Sequence, residues 1–135
     1  MRLVLVVAAA LIDADGRVLL AQRPKGKPLE GLWEFPGGKM GAGELPEEAL
    51  IRELGEELGI TVKPACLAPL TFASHAYDDF HLLMPLYVCR RWEGFVQPLD
   101  GQAMIVDPLF PVLGHHASGG GRMRAVVFHL SSHEL

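Results

Sequence analysis

The chain predicts an α+β fold, and three features point to it. Apolar, β-branched runs stand near the N-terminus, one segment of helical period covers residues 46–58, and further apolar runs follow. Of the 135 residues, 50% are hydrophobic and 21% charged, a composition that suits one folded domain over residues 1–135. Such a length can bury a core without disulfide or metal staples.

Residues 3–12 and 17–22 read as two strands joined at Asp15-Gly16, a hairpin signal. The first run is too short to span a bilayer. It ends at once in Asp13-Ala14-Asp15-Gly16, which fits a strand and turn better than a signal peptide. Residues 23–28 make a basic, proline-punctuated loop, and Leu32-Trp33-Glu34-Phe35 is a short strand before Pro36. Gly37-Gly38-Lys39-Met40-Gly41-Ala42-Gly43 fits neither period. Pro46 suits a first helical position and Gly59 a C-terminal stop. Leu45 stands where Ser, Thr or Asp would cap that helix, a loss of about 1 kcal/mol. Strands are expected at residues 63–72 and 81–91. After Ala103 the chain turns rich in proline, glycine and histidine, including Gly119-Gly120-Gly121, before an apolar run at residues 125–130 that reads as a strand.

Charge narrows the possible partners. The net charge is −4 with no basic run, which argues against a nucleic-acid polymer, and no segment is built for a membrane. Cys66 and Cys89 lack Cys-x-x-Cys spacing and read as buried thiols of a reducing cytoplasm, not as a disulfide framework or zinc site. The acidity is uneven: Glu44, Glu47, Glu48, Glu53, Glu56 and Glu57 crowd one short stretch, with Arg52 the sole basic residue among them.

A helix turns about 100° per residue. Leu50, Ile51, Leu54 and Leu58 therefore share one arc, the stripe that faces the core. Glu53, Glu56 and Glu57 lie along one edge of it, spaced so that their carboxylates repel one another. A glutamate-rich helix is usually just a solvated face. Here the acids adjoin the apolar edge and a glycine-rich loop feeds the helix, which favours a hard cation such as magnesium. Glycines let backbone amides approach a phosphate, and Lys39 adds a point charge for a phosphate oxygen. Together these features suggest metal-assisted attack of water on a phosphoanhydride. The segment Ser74-His75-Ala76-Tyr77-Asp78-Asp79-Phe80-His81 could mimic a metal cluster, but a strand and turn with polar tips explains it more simply.

Residues 38–60, GKMGAGELPEEALIRELGEELGI, match G-x5-E-x7-R-E-U-x-E-E-x-G-U, with U aliphatic, at every fixed position. In this the chain resembles the Nudix family. Arg23, Leu32 to Lys39, Trp92-Glu93-Gly94 and Asp100-Gly101-Gln102 extend the likeness to the MutT-type branch, over about residues 4–103. The resemblance implies an α/β/α sandwich around a mixed sheet. It implies a Mg2+-dependent enzyme, with Mn2+ able to substitute, that hydrolyses a small nucleotide. The reaction would take a nucleoside triphosphate to nucleoside monophosphate and pyrophosphate, with 8-oxo-dGTP as a pool-sanitising substrate.

Carried over by motif, Glu53, Glu56 and Glu57 would hold the metal, with Glu53 deprotonating or orienting the water. The Gly37 carbonyl is a family metal ligand, and Asp100 stands where relatives often carry a metal-binding glutamate. Glu44, Arg52 and Lys39 would support catalysis. Arg23, Glu34, Phe35, Pro36, Gly37 and Gly38 would line the substrate pocket, although Phe35 and Trp33 suit core packing equally well.

Two other readings stand beside this one. The first is a Nudix pyrophosphatase for ADP-ribose or a dinucleotide. The second is a non-catalytic nucleotide sensor, which would be expected to have lost a box glutamate. The branch usually ends in a tryptophan-bearing strand, a loop with a base-reading asparagine and a closing helix. This chain has Met104-Ile105-Val106-Asp107, no asparagine anywhere and an atypical tail over residues 104–135. A change of reading frame shortly after Ala103 would produce such a departure.

Overall fold

The first apolar run lacks polar alternation because both of its faces are covered. In the computed structural model, which describes residues 2–22, 25–26 and 33–108, it forms β1 (Arg2–Leu11). There follow β2 (Arg17–Gln22), β3 (Trp33–Glu34), β4 (Gly37–Lys39), α1 (Pro46–Leu58), β5 (Leu67–Ala76), β6 (Phe80–Cys89) and β7 (Ala103–Pro108). The strands make two sheets, one ordered β4-β1-β6-β5 and one ordered β3-β2-β7. β1 runs parallel to β6 and antiparallel to β4, so the larger sheet is mixed.

The two-residue period of β1 divides the core. Val7, Ala9 and Leu11 pack with Leu50, Leu54 and Leu58 of α1. Val4, Val6, Ala8 and Ala10 pack on the other side with Val18, Leu20, Phe35, Phe80 and Leu82. One helix thus lies on one face of the mixed sheet, and the smaller sheet lies against the other.

α1 starts and stops where Pro46 and Gly59 place its ends. Gly59 adopts φ 70°, and its N–H donates to the Gly55 carbonyl at 3.1 Å. Leu45 caps nothing with its side chain, but the Glu48 carboxylate accepts the Leu45 N–H at 3.1 Å. That is half of a capping box, and it offsets part of the missing cap. Ala49 is buried with Leu50, Leu54 and Leu58, whereas Ile51 sits at the margin of the stripe.

Several expectations are corrected. Asp15-Gly16 does turn the chain, with Asp13 accepting N–H bonds from Asp15 and Arg17, but β1 and β2 are not a hairpin. Both edges of β1 are taken by β4 and β6, so β2 joins the other sheet and one bridge, Ile12 to Val18, links the pair. The strand expected at 63–72 begins later, at Leu67, because Pro64–Cys66 form a 3-10 turn, and it runs on to Ala76. Its successor is two residues shorter at its end than expected and starts at Phe80. Of the short strand expected at Leu32–Phe35, Trp33–Glu34 form β3 and Phe35 lies beyond it, while Leu32 lies outside the described residues. Residues 104–108, read as the start of an atypical tail, belong with Ala103 to β7, paired with β2 from Gln22↔Ala103 to Arg17↔Pro108. The apolar run at 125–130 and the triple glycine lie outside the described residues.

Candidate active site

Short β4 carries the glycines into the site. It lies beside β1 in the register Val6↔Lys39 to Ala8↔Gly37, and α1 crosses next to it. Gly37 has φ 156°, and a Cβ there would overlap the Val7 and Ala8 backbone. At Gly38 a Cβ would overlap the Glu53 carboxylate instead. The two glycines thus admit neighbouring backbone and the protein's own acids, where sequence reasoning had them admitting a ligand. The substitutions should separate. Gly37→Ala is expected to cost roughly 3 kcal/mol of stability, since backbone cannot move aside. Gly38→Ala should leave the thermal melt nearly unchanged but displace Glu53 and cut activity at least tenfold. Equal melting temperatures for the two variants would contradict this.

Arg52 organises the acids. Its Nε and Nη2 donate to Glu44 at 2.8 and 2.9 Å, a two-point clasp from helix to loop. Nη1 donates to Glu53 at 2.9 Å and to Glu56 at 3.3 Å, and Nη2 also reaches the Lys39 carbonyl at 3.2 Å. Glu44 in turn accepts the Gly41 N–H at 2.6 Å. The Arg52 hydrogen bonds lower the Glu44 pKa below its ordinary value, and the Gly41 N–H adds to this. One turn along the helix, at i, i+4, Arg52 meets Glu56. Glu48 serves the Leu45 N–H.

Glu57 stands apart. It accepts the Gly37 N–H at 3.3 Å, and burial pushes its carboxyl up to about 9, with the charges of Glu53, Glu34 and Asp100 adding to the rise. The side chain of Glu53 is 16% exposed and that of Glu56 60%. Among the described residues no three acidic, histidine or cysteine side chains already surround one point. Carboxylates of like charge separate unless a cation lies among them, and Arg52 is the cation that two of them reach. The donor set still fits a hard divalent ion. It is all oxygen, and it includes a half-buried carboxyl that feels the charges of Glu53, Glu34 and Asp100, a repulsion such an ion would offset.

The remaining candidates are distributed around this centre. Asp100 sits in an exposed turn close enough to Glu57 to act on its charge. Glu34 is half-buried on β3, and it acts on Glu57 in the same way. Pro36 is buried, and its carbonyl accepts the Ala9 N–H at 2.9 Å. Phe35 belongs to the core between the sheets, and the half-buried Trp33 packs against it. At 6% exposure Phe35 offers little ring to a base. Lys39 is exposed at the end of β4. Arg23 lies outside the described residues.

Two residues of consequence had no assigned role. Tyr87 donates its O–H to Glu47 at 3.0 Å, fastening the first turn of α1 to β6. Gln102 is buried against the far end of the helix and bonds the Glu57 carbonyl. An isolated apolar-to-polar step at either position carries no periodic signal that could have found them.

The NUDIX domain model matches residues 7–108, five residues past the point where the likeness was expected to stop. The 8-oxo-dGTP diphosphatase of Proteus vulgaris is 35% identical over 100 residues, covering 74% of this chain and 88% of that protein. The CTP pyrophosphohydrolase of Escherichia coli strain K12 is 57% identical over 54 residues, 40% of each chain. Among solved structures, the solution structure of the E. coli ORF135 protein aligns with a TM-score of 0.72 at 30% identity, covering 93% of this chain and 89% of that one. The chain belongs to the NUDIX domain family, on its MutT-type branch. Enzymes of this family act on small nucleotides and generally need a divalent metal. No helix among the described residues is long and apolar enough to cross a membrane.

Proposed function

We propose that this Nudix hydrolase, acting as a single cytoplasmic domain, uses Mg2+ to convert a nucleoside triphosphate to nucleoside monophosphate and pyrophosphate, with 8-oxo-dGTP as its preferred substrate. The observation that carries the reading is the half-buried Glu57 carboxyl, set against Gly37 and acted on by the charges of Glu53, Glu34 and Asp100. Glu53, Glu56, Glu57, Asp100 and the Gly37 carbonyl would hold the ion. When bound, it neutralises phosphate charge and polarises the phosphorus under attack. Mn2+ would fill the same oxygen set.

The protein's own groups do the rest. Glu53, held by Arg52 above Gly38, takes a proton from water as the water oxygen bonds to phosphorus. The bond from that phosphorus to the α,β-bridging oxygen breaks, the oxygen leaves with the other product, and nucleoside monophosphate and pyrophosphate result. Arg52 and Glu44 keep Glu53 in place from the loop side, and Lys39 meets a phosphate oxygen. Glu34, Pro36 and Gly38 border the nucleotide, with Arg23 a further contact and Phe35 supporting the pocket from beneath.

Oxidised dGTP is favoured over CTP because the diphosphatase from Proteus vulgaris aligns over 88% of its length, against 40% for the CTP enzyme. The test is a panel of 8-oxo-dGTP, dGTP, CTP and ADP-ribose with Mg2+, assayed separately for pyrophosphate and phosphate. Pyrophosphate should be the product, fastest from 8-oxo-dGTP. If 8-oxo-dGTP is turned over no faster than dGTP or CTP, the sanitising role is wrong. If ADP-ribose is the best substrate, so is the triphosphate reaction.

A further inference from the structure

Gln102 is the buried polar side chain of the described residues, 8% exposed. Its two amide ends go to two different parts of the site. The side-chain N–H donates to the Glu57 carbonyl at 3.2 Å, and the side-chain oxygen accepts the Asp100 N–H at 2.9 Å. We propose that Gln102 is a positioning residue for metal binding, holding the Asp100 turn against the Glu57 end of α1. The proposal deepens the reading given above and rests on it.

Capping the helix is not sufficient reason for this side chain. The Glu57 carbonyl already accepts the Leu99 N–H at 3.0 Å, and the Leu58 carbonyl accepts the Gln97 N–H at 2.9 Å. The Glu57 and Leu58 carbonyls are thus already met by backbone donors. Burying a primary amide is unfavourable unless both ends are bonded, and an apolar chain of equal length would fill the space with no such demand. What the amide adds is the second bond, to Asp100, in a turn that reverses at Gly101 with φ 72°. Aspartate is one methylene shorter than glutamate, so its backbone must be held close for the carboxylate to reach the centre. Gln102 supplies that hold from Glu57 itself.

The probe is Mn2+ binding to the full chain without nucleotide, followed by electron paramagnetic resonance, for wild type, Gln102→Met, Asp100→Asn and the double variant. Gln102→Met should weaken Mn2+ binding about tenfold, as losses of groups that orient metal ligands do. Its metal-free melt should stay within a few degrees of wild type. Asp100→Asn should weaken binding similarly, and the double variant no further than either single one. Wild-type affinity in Gln102→Met, or losses that multiply in the double variant, would reduce Gln102 to a helix cap. Absence of Mn2+ binding by wild type would remove the metal-dependent reading itself, and this proposal with it. Should Gln102→Met fail to fold, exchange of the Asp100 amide in wild type decides. Protection that deepens with Mg2+ supports the hold, and exchange at the rate of an open turn overturns it.

Discussion

Glu53→Gln is expected to lower turnover about 10²- to 10⁴-fold at saturating Mg2+ and nucleotide, the range for loss of a positioned general base. The melting temperature should stay within a few degrees of wild type. The glutamine is isosteric, and its carbonyl oxygen can still accept the 2.9 Å bond from Arg52. What it loses is a site for the proton and a negative ligand. Geometry makes Glu53 the sensitive position among the three acids of the box. Its carboxylate lies where a Gly38 side chain would otherwise be, and it is fixed from the other side by a guanidinium that is itself clasped to Glu44. Glu56 is also bonded to Arg52, but its side chain is 60% exposed, so Glu56→Gln should cost less. The check is initial-rate pyrophosphate release alongside thermal melts of both variants. Near-normal turnover in Glu53→Gln would assign the base elsewhere.

Local chemistry was legible and non-local pairing was not. Pro46 and Gly59 act on the residues next to them, and both ends of α1 fall where they predict. Asp15-Gly16 also turns the chain as expected, but which edge β2 then finds depends on β4 and β6, far away in sequence. Pro64 delayed the start of a strand by favouring a 3-10 turn, a contest that a run of apolar residues does not reveal. In the site, the spacing of the acids was plain and their inequality was recoverable in principle. Seven residues rotate an α-helix by about 700°, so Glu57 returns to within about 20° of buried Leu50. Glu53 lies about 60° and Glu56 about 120° from it, and the structure buries Glu53 more deeply than Glu56. Arg52 is paired by the helical period with Glu48 and Glu56, four residues away on its own helix. Its strongest clasp is to Glu44, across the loop, where no helical period reaches. The amide of Gln102 was equally out of reach, since its partners are backbone atoms rather than side chains.

The depth of Glu57 leads to a second large effect, in which stability and activity move in opposite directions. Its carboxyl titrates near 9 in the folded chain against an ordinary value of 4.5, chiefly because burial disfavours the charge. A group with a raised folded pKa binds more protons folded than unfolded between those two values. Metal-free stability should therefore fall as pH rises from about 4.5 toward 9, and level off above. Glu57→Gln removes that loss. The metal-free variant should melt several degrees above wild type at pH 8, with a flatter pH profile, while hydrolysing nucleotide at least a hundredfold more slowly. Mg2+ should raise the wild-type melt at pH 8, because a divalent charge favours the carboxylate over the buried acid, and should raise that of Glu57→Gln far less. Melts at pH 5 and pH 8, with and without Mg2+, make the comparison. A variant less stable than wild type at pH 8 would mean that the Glu57 carboxyl contributes to the fold, and that the strain assigned to its burial is absent.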